Sequence, residues 1–280
     1  MEVTVAQFLL GIVLSAAMGG VGYWRRALST SGVFGAVVIG TLIFGFGGWV
    51  WGLLLITFFV SSSWLSHYRR ADKIQVSEKF AKGSRRDFGQ TLANGGLGAI
   101  LAVVFAQFPE PVLFAAFVGA MATVNADTWA TELGVLSRVT PRSITTGQRV
   151  APGTPGGVTS LGTWAAVAGA LLIGTLATLL GQVQSLLAGR GWGLQAVSYP
   201  LLAIVGGVSG ALFDSLLGAT VQGVYYCDLC RKETESPVHR CGRPTRLLRG
   251  LVWLNNDVVN FLSSVVGAML AASLAWLLWR

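Results

Sequence analysis

Eight stretches of this 280-residue chain stay apolar for roughly the length that a helix needs to cross a bilayer, about 20 residues at 1.5 Å each. They cover residues 5–22, 33–47, 49–65, 91–108, 111–134, 159–182, 198–222 and 252–279. Lipid offers no hydrogen bonds, so such segments must pair every backbone N–H and C=O internally, which leaves helices as the natural choice. The chain is 53% hydrophobic and only 11% charged, where a soluble domain carries about a quarter charged residues. The reading is an all-α polytopic membrane protein, a single integral domain over 1–280. The second block is short, and "FGFGGW" at its boundary with the third leaves room for a tight turn only. No basic residues precede the first block and Arg25 and Arg26 follow it, so it reads as a span rather than a cleaved leader.

Charge orients the bundle. Placing the amino terminus outside leaves only Arg190 and Arg280, of the 20 lysines and arginines, on the outer face. The positive-inside rule makes the other face cytoplasmic, in a cell (inner) membrane. The net charge of +8 is therefore a topology signal: its residues are dispersed over loops that anionic headgroups account for, and no nucleic-acid partner is expected. Within the basic loop over 66–90, "HYRRADKIQVSEKFAKGSRRDFGQ" reads as an amphipathic segment with a short surface helix through Ile74, Phe80 and Phe88, whose lysines can attract an anionic substrate.

Polar side chains gather at the cytoplasmic ends of the spans. Asp87, Gln90 and Asn94 open the fourth; Asn125, Asp127 and Glu132 close the fifth; Asp214 and Gln222 close the seventh; Asn255, Asn256, Asp257 and Asn260 open the eighth. Helical spacing aligns Asn125 with Thr128 and Glu132, and Asn256 with Asn260. Asp127 and Asp214 each lie about two turns, roughly 12 Å, inside their span, so a shared site is expected. Charge burial in a membrane is costly enough that such acids read as functional. Asn, Gln and Thr can instead be helix-to-helix glue, and Glu132 and Asp87, nearer the headgroups, can be solvated or paired with an arginine. Acids beside a basic face suit Mg²⁺ with phosphate, since Mg²⁺ takes one or two carboxylates and fills its shell with water and phosphate oxygens. A proton or sodium pathway is the rival use of the same carboxylates.

Two loops carry further signals. In "RVTPRSITTGQRVAPGTPGGVTSLG", three arginines, among them Arg149, precede glycines at 153, 156 and 157 and a helix expected to start near Gly157, whose free N–H groups could hold an anion. The P-loop ending is missing, and Pro/Gly loops also join helices with no such role. Over 223–251, "YYCDLCRKETESPVHRCG" sets out Cys227, Cys230, His239 and Cys241, a Cys₃His pattern at a spacing suited to structural zinc, and all three cysteines of the chain lie in it. A reducing cytoplasm argues against disulfides; three unremarkable thiols are the alternative.

Taken in order, "SRRDFGQTLANGG", "NADTWATELG", "PGTPGGVTSLG", "FDSLLGATVQ", "CDLC…HRCG" and "LNNDVVN" resemble the integral membrane family that includes plant chloroplast phytyl-phosphate kinase, over about residues 19–267. That resemblance implies a Mg-dependent kinase acting on a prenyl or phytyl monophosphate to give the diphosphate, with CTP as preferred donor. The acceptor already carries an anionic oxygen, so no base need remove a proton from an alcohol. On this reading Asp127, Asp214 and Asp257 hold Mg²⁺. Asn125, Asn256 and Asn260 orient phosphate oxygens or water; Gly153, Gly156 and Gly157 give backbone donors; Arg85, Arg86 or Arg149 neutralise charge; Asn94 and Glu132 complete the substrate-binding set. A lipid-phosphate or isoprenoid transporter or flippase, and a CTP-dependent nucleotidyltransferase, remain alternatives. The absence of a convincing internal repeat speaks against an inverted-repeat transporter. Oligomeric state is left open.

Overall fold

The computed structural model describes residues 5–77, 85–191 and 193–280. In chain order it holds α1 (Val5–Trp24), α2 (Thr30–Leu42), α3 (Trp49–His67), α4 (Arg70–Ser77), α5 (Phe88–Gln107), α6 (Pro111–Gly134), β1 (Arg142–Ser143), β2 (Gly157–Val158) and α7 (Ser160–Leu187). These are followed by α8 (Tyr199–Thr220), β3 (Val224–Cys227), β4 (Lys232–Thr234), β5 (Arg246–Arg249) and α9 (Asn256–Leu278). Eight helices among the described residues are long and apolar enough to cross a membrane; α2 reaches that length through a π-helical end, Ile43–Gly47. Gly48, at φ 86°, alone separates that end from α3, the sharp turn that the glycine-rich boundary predicts.

Caps set the helix ends. Ser29 accepts from Gly32 N at 3.1 Å, Thr159 from Gly162 N at 3.0 Å and Asn255 from Val258 N at 3.1 Å, while Asp87 and Gln90 form a reciprocal capping box. The second span therefore begins at Thr30 rather than 33, and the last at Asn256 rather than 252. Asp87, with its carboxylate on the N–H of Gln90, has the structural role of a helix cap.

The bundle is built around α6. Residues Ala115 to Ala126 are buried without interruption, and 67% of its membrane window is enclosed, against 17% for α1. A helix apolar on every side belongs in the middle, and α6 packs on α3, α5, α7, α8 and α9. Its alanines and glycines let those neighbours approach closely.

At one end the basic loops join one another. Arg86 N donates to Ala27 O and Ser29 N to Arg86 O, both at 2.9 Å, tying the α1–α2 turn to the entry of α5. β1 and β2 pair antiparallel, with Arg142 opposite Val158. Between α8 and α9 a small antiparallel sheet of order β4-β3-β5 adds β structure that the helical reading does not anticipate. Lys79, Lys82 and Phe80 of the expected amphipathic segment lie outside the described residues.

Candidate functional site

The site begins where three helices cross. A Cβ added at Gly206 of α8 would sit 2.6 Å from Gly267 O of α9 and 3.2 Å from Gly119 Cα of α6, so the three backbones touch there. Thr123 Oγ1, buried at the same crossing, donates to Gly119 O at 2.9 Å and Gly206 O at 3.2 Å. One helical turn towards the basic face from Thr123, Gly210 and Gly267 stand Asp127, Asp214 and Ser263. Ser263 Oγ donates to Asp214 Oδ2 at 3.2 Å, and a Cβ on Gly210, one turn before Asp214, would run into Thr123, one turn before Asp127. Asn260, on the turn after Ser263, has a buried Oδ1 with no hydrogen-bond partner among the described residues. Beyond the tight crossing there thus follow two half-buried carboxylates, a hydroxyl and, a turn further along α9, an unpartnered amide oxygen, together the acid cup.

A third acid lies outside the helices, against the end of α8. Gln222, 2% exposed at the end of α8, donates from Nε2 to Glu235 Oε1 at 3.1 Å, and the charge of Glu235 acts on Asp214. Asp257, the third acid expected from sequence, is half-buried on the neighbouring strip of α9, which turns towards α5: Phe261, one turn on, lies 3.9 Å from where a Cβ of Gly96 would be. Helical spacing points to Asn256 and Asn260 together but cannot point to Glu235, because a loop carboxylate carries no depth or periodicity signal.

Several expected phosphate ligands hold contacts within the protein. Asn125 is fully buried; its Nδ2 donates to Gly169 O of α7 at 2.8 Å and its Oδ1 accepts from Ser61 of α3 at 3.0 Å. Both ends of the amide are taken, so the arrangement leaves it a brace between helices rather than a phosphate ligand. Glu132 accepts from Ser66 at 2.5 Å and pairs with buried Lys73 at 2.7 Å, joining α3, α4 and α6. Its partner is thus a lysine where an arginine is expected. Arg85 donates to Leu28 O at 3.1 Å and lies over the Tyr23 ring. Arg86 donates to Ser63 at 3.0 Å, packs on Phe58 and Phe59, and feels the charge of Glu132. Burial pulls its guanidinium below the usual range and Glu132 opposes that shift, though an arginine remains charged. Asn94 is half-buried on α5, and Arg149 is exposed.

The glycine loop corrects one expectation outright. α7 starts at Ser160, not near Gly157, and Thr159 caps it. Gly157 lies in β2, and Gly156, at φ 80°, fits against α8 where a Cβ would meet Ala219 Cα at 2.7 Å. Gly153 also has positive φ, at 76°. Turn geometry and close packing account for these glycines, and the loop lies beside Arg231, Lys232 and Glu233 of the cysteine loop, across a surface hollow.

The ligand atoms of Cys227, Cys230, His239 and Cys241 all lie within 4.8 Å of one another. Cys227 Sγ and Cys241 Sγ are 3.7 Å apart, and His239 Nδ1 is 3.2 Å from Cys241 Sγ. Thiolates at about 2.3 Å from zinc would stand about 3.8 Å apart at tetrahedral corners. A backbone hydrogen bond at Arg243, then His239, hold the Cys241 thiol down to about 6, while hydrogen bonding to Cys241 pushes the Cys230 thiol up to about 11. The group can hold a metal such as zinc, and four protein ligands leave no position for substrate.

Residues 13–268 match the family described as integral membrane protein DUF92. The chain belongs to that family. Its relatives include Protein PGR of Arabidopsis thaliana, 31% identical over 95% of each chain. The uncharacterized membrane protein MJ0933 of Methanocaldococcus jannaschii is 30% identical over 88% of this chain and 84% of its own. Protein VTE6, chloroplastic, of Arabidopsis thaliana is 25% identical over 87% of this chain and 64% of its own. No solved structure matches. The match to the DUF92 family takes in the acid cup, the glycine loop and the Cys₃His group together.

Proposed function

We propose that the acid cup is the catalytic centre of a membrane kinase that passes a phosphoryl group from a nucleoside triphosphate, CTP by expectation, to a prenyl or phytyl monophosphate. The observation that carries this reading is the crossing where Thr123, Gly210 and Ser263 meet, which sets Asp127 and Asp214 one turn on along α6 and α8, with the unpartnered Asn260 Oδ1 one turn from Ser263 on α9. Hard oxygen donors in that number fit Mg²⁺, which would supply charge neutralisation to phosphate oxygens. Asp127 and Asp214 would hold it, with Ser263 fixing the Asp214 carboxylate and Asn260 directing a phosphate oxygen or water. Asn256 would extend that polar strip, while Arg149 and the backbone of Gly153, Gly156 and Gly157 would border the nucleotide. The acceptor's phosphate oxygen forms the new bond to the γ-phosphorus as the bond to the β-bridging oxygen breaks, releasing the nucleoside diphosphate. The sequence resemblance to the family that includes phytyl-phosphate kinase supports this choice of reaction. The basic end, with the cup beneath it, would face the cytoplasm at the inner membrane, where nucleotide is available.

The test uses purified protein with farnesyl, geranylgeranyl or phytyl monophosphate, CTP and Mg²⁺. The expected products are the prenyl diphosphate and CDP, with Asp127→Asn and Asp214→Asn abolishing turnover while expression persists. Pyrophosphate in place of CDP would instead identify a nucleotidyltransferase. No diphosphate from folded protein across the acceptors and other nucleotides removes the kinase reading, and near-normal rates in both variants remove these acids from the centre.

A further inference from the structure

An apolar cleft, open along one side, runs between α1, α2, α3 and α5. Leu14 and Met18 of α1, Ile39 of α2, Phe44, and Leu55 and Phe59 of α3 line it. Along α3 its lining runs from Gly52 to Phe59, about 10 Å at 1.5 Å per residue, or some two-thirds of one hydrocarbon leaflet. At the basic end it meets the Arg86 side chain, with Asn94 beside it.

Among the described residues the cations there outnumber the acids. Glu132 is shared by two cations, Lys73 at 2.7 Å and Arg86 through its field. Of the other acids of this loop among the described residues, Asp72 pairs with Arg69 at 2.6 Å and Asp87 caps α5, while Glu78 lies outside the described residues. Arg86 otherwise meets only a hydroxyl, backbone and two phenyl rings among the described residues. A partly buried guanidinium with half a counter-ion is costly unless an anion completes it. A planar donor fork matches phosphate or carboxylate oxygens.

We propose that this cleft seats a single-chain anionic amphiphile, its head group on Arg86 and its chain along α1, α2 and α3. The head group supplies the missing charge and the chain the apolar contact, so one molecule satisfies both halves of the site. Such a ligand is either the phosphorylated isoprenoid acceptor or a single-chain membrane lipid. Only the first identity rests on the kinase reading.

The test is binding, measured apart from turnover, on the full chain in detergent or nanodiscs with a photoreactive geranylgeranyl monophosphate. Crosslinks are expected on the cleft-lining residues of α1, α2 and α3. Arg86→Gln, which keeps a hydrogen-bonding group for Ser63, should weaken binding by about tenfold or more, the worth of one hydrogen bond to a charged group. Ala36→Phe, which fills the cleft, should remove the crosslinks without removing the fold. Competition by lysophosphatidate as well as by prenyl phosphate identifies a general anionic-lipid site; competition by prenyl phosphate alone identifies the acceptor site. Crosslinks elsewhere, unchanged affinity in Arg86→Gln, or equal competition by uncharged geranylgeraniol overturn the proposal. Binding here without any turnover would leave the cleft standing and sink the kinase.

Discussion

Glu132 shows how a polar residue near a membrane surface is kept. Its carboxylate is 22% exposed and Lys73 only 9%, so the pair is held away from water and bonded at 2.7 Å. Removing one partner leaves the other charge buried alone, which costs about 3–5 kcal/mol, whereas replacing both by apolar groups of like size is near neutral. Glu132→Ala should therefore lower the unfolding free energy by about that amount, and Lys73→Met with Glu132→Leu should recover the part that comes from stranding Lys73 and leave the part that comes from Arg86, as read by denaturant unfolding in detergent. A loss in the double variant equal to the sum of the two single losses would show the pair to be without coupling. The same residues show what could be read from sequence. Asp127 and Asp214 stand out because an acid two turns inside a span has no inexpensive explanation, and spacing alone places them at one depth. Asn125 looks the same in sequence as Asn260, yet one is saturated by Gly169 and Ser61 while the other keeps an unpartnered oxygen. That difference depends on what faces each amide across a helix interface, which local sequence does not contain.

The helices were legible from apolar run length, and their ends shifted by a few residues where Ser29, Thr159 and Asn255 took the capping positions. The loops were less so, because a glycine records that a side chain would not fit without saying whether backbone, ligand or turn excludes it. At Gly156 the excluding group is Ala219. The cysteine loop was legible as a ligand set but not as a carrier of Glu235, which its β-sheet brings to Gln222 and towards Asp214. The Gln222–Glu235 bond joins the metal-binding element to the end of α8, the helix that carries Asp214. A loop of this size has too little core to fold alone, so a metal bound by its Cys₃His group is expected to supply most of its folding energy. Stripping metal with a strong chelator should release one zinc per chain by elemental analysis, expose the three thiols to a titrating reagent, and cut turnover. Glu235→Gln should lower turnover while zinc content stays at one. Full activity after metal loss would separate the loop from the site, and an unaffected Glu235→Gln would leave that acid a purely structural partner of Gln222.

For the molecule as a whole, eight crossings return the chain to the side on which it starts, and the positive charge collects at the other. The backbone bonds between the α1–α2 turn and Arg86, and the seat of Gly156 on Ala219, place those basic loops at one end of the bundle, the end to which Asp127, Asp214 and Glu235 belong. Each lysine or arginine near an anionic leaflet is worth about 1 kcal/mol, so the asymmetry is ample to fix orientation. A kinase reading requires that end to meet nucleotide, which makes orientation a test of function as well as of topology. The native thiols and one substitution decide it. On intact cells a membrane-impermeant maleimide should leave the wild-type chain unlabelled and label Arg190→Cys, in the exposed connection between α7 and α8. In inverted vesicles treated with chelator, Cys227, Cys230 and Cys241 should become reactive while Arg190→Cys gains nothing further. Labelling of the native thiols on intact cells would turn the molecule over, set the acid cup against the outside where CTP is absent, and remove the phosphoryl-transfer reading together with the orientation.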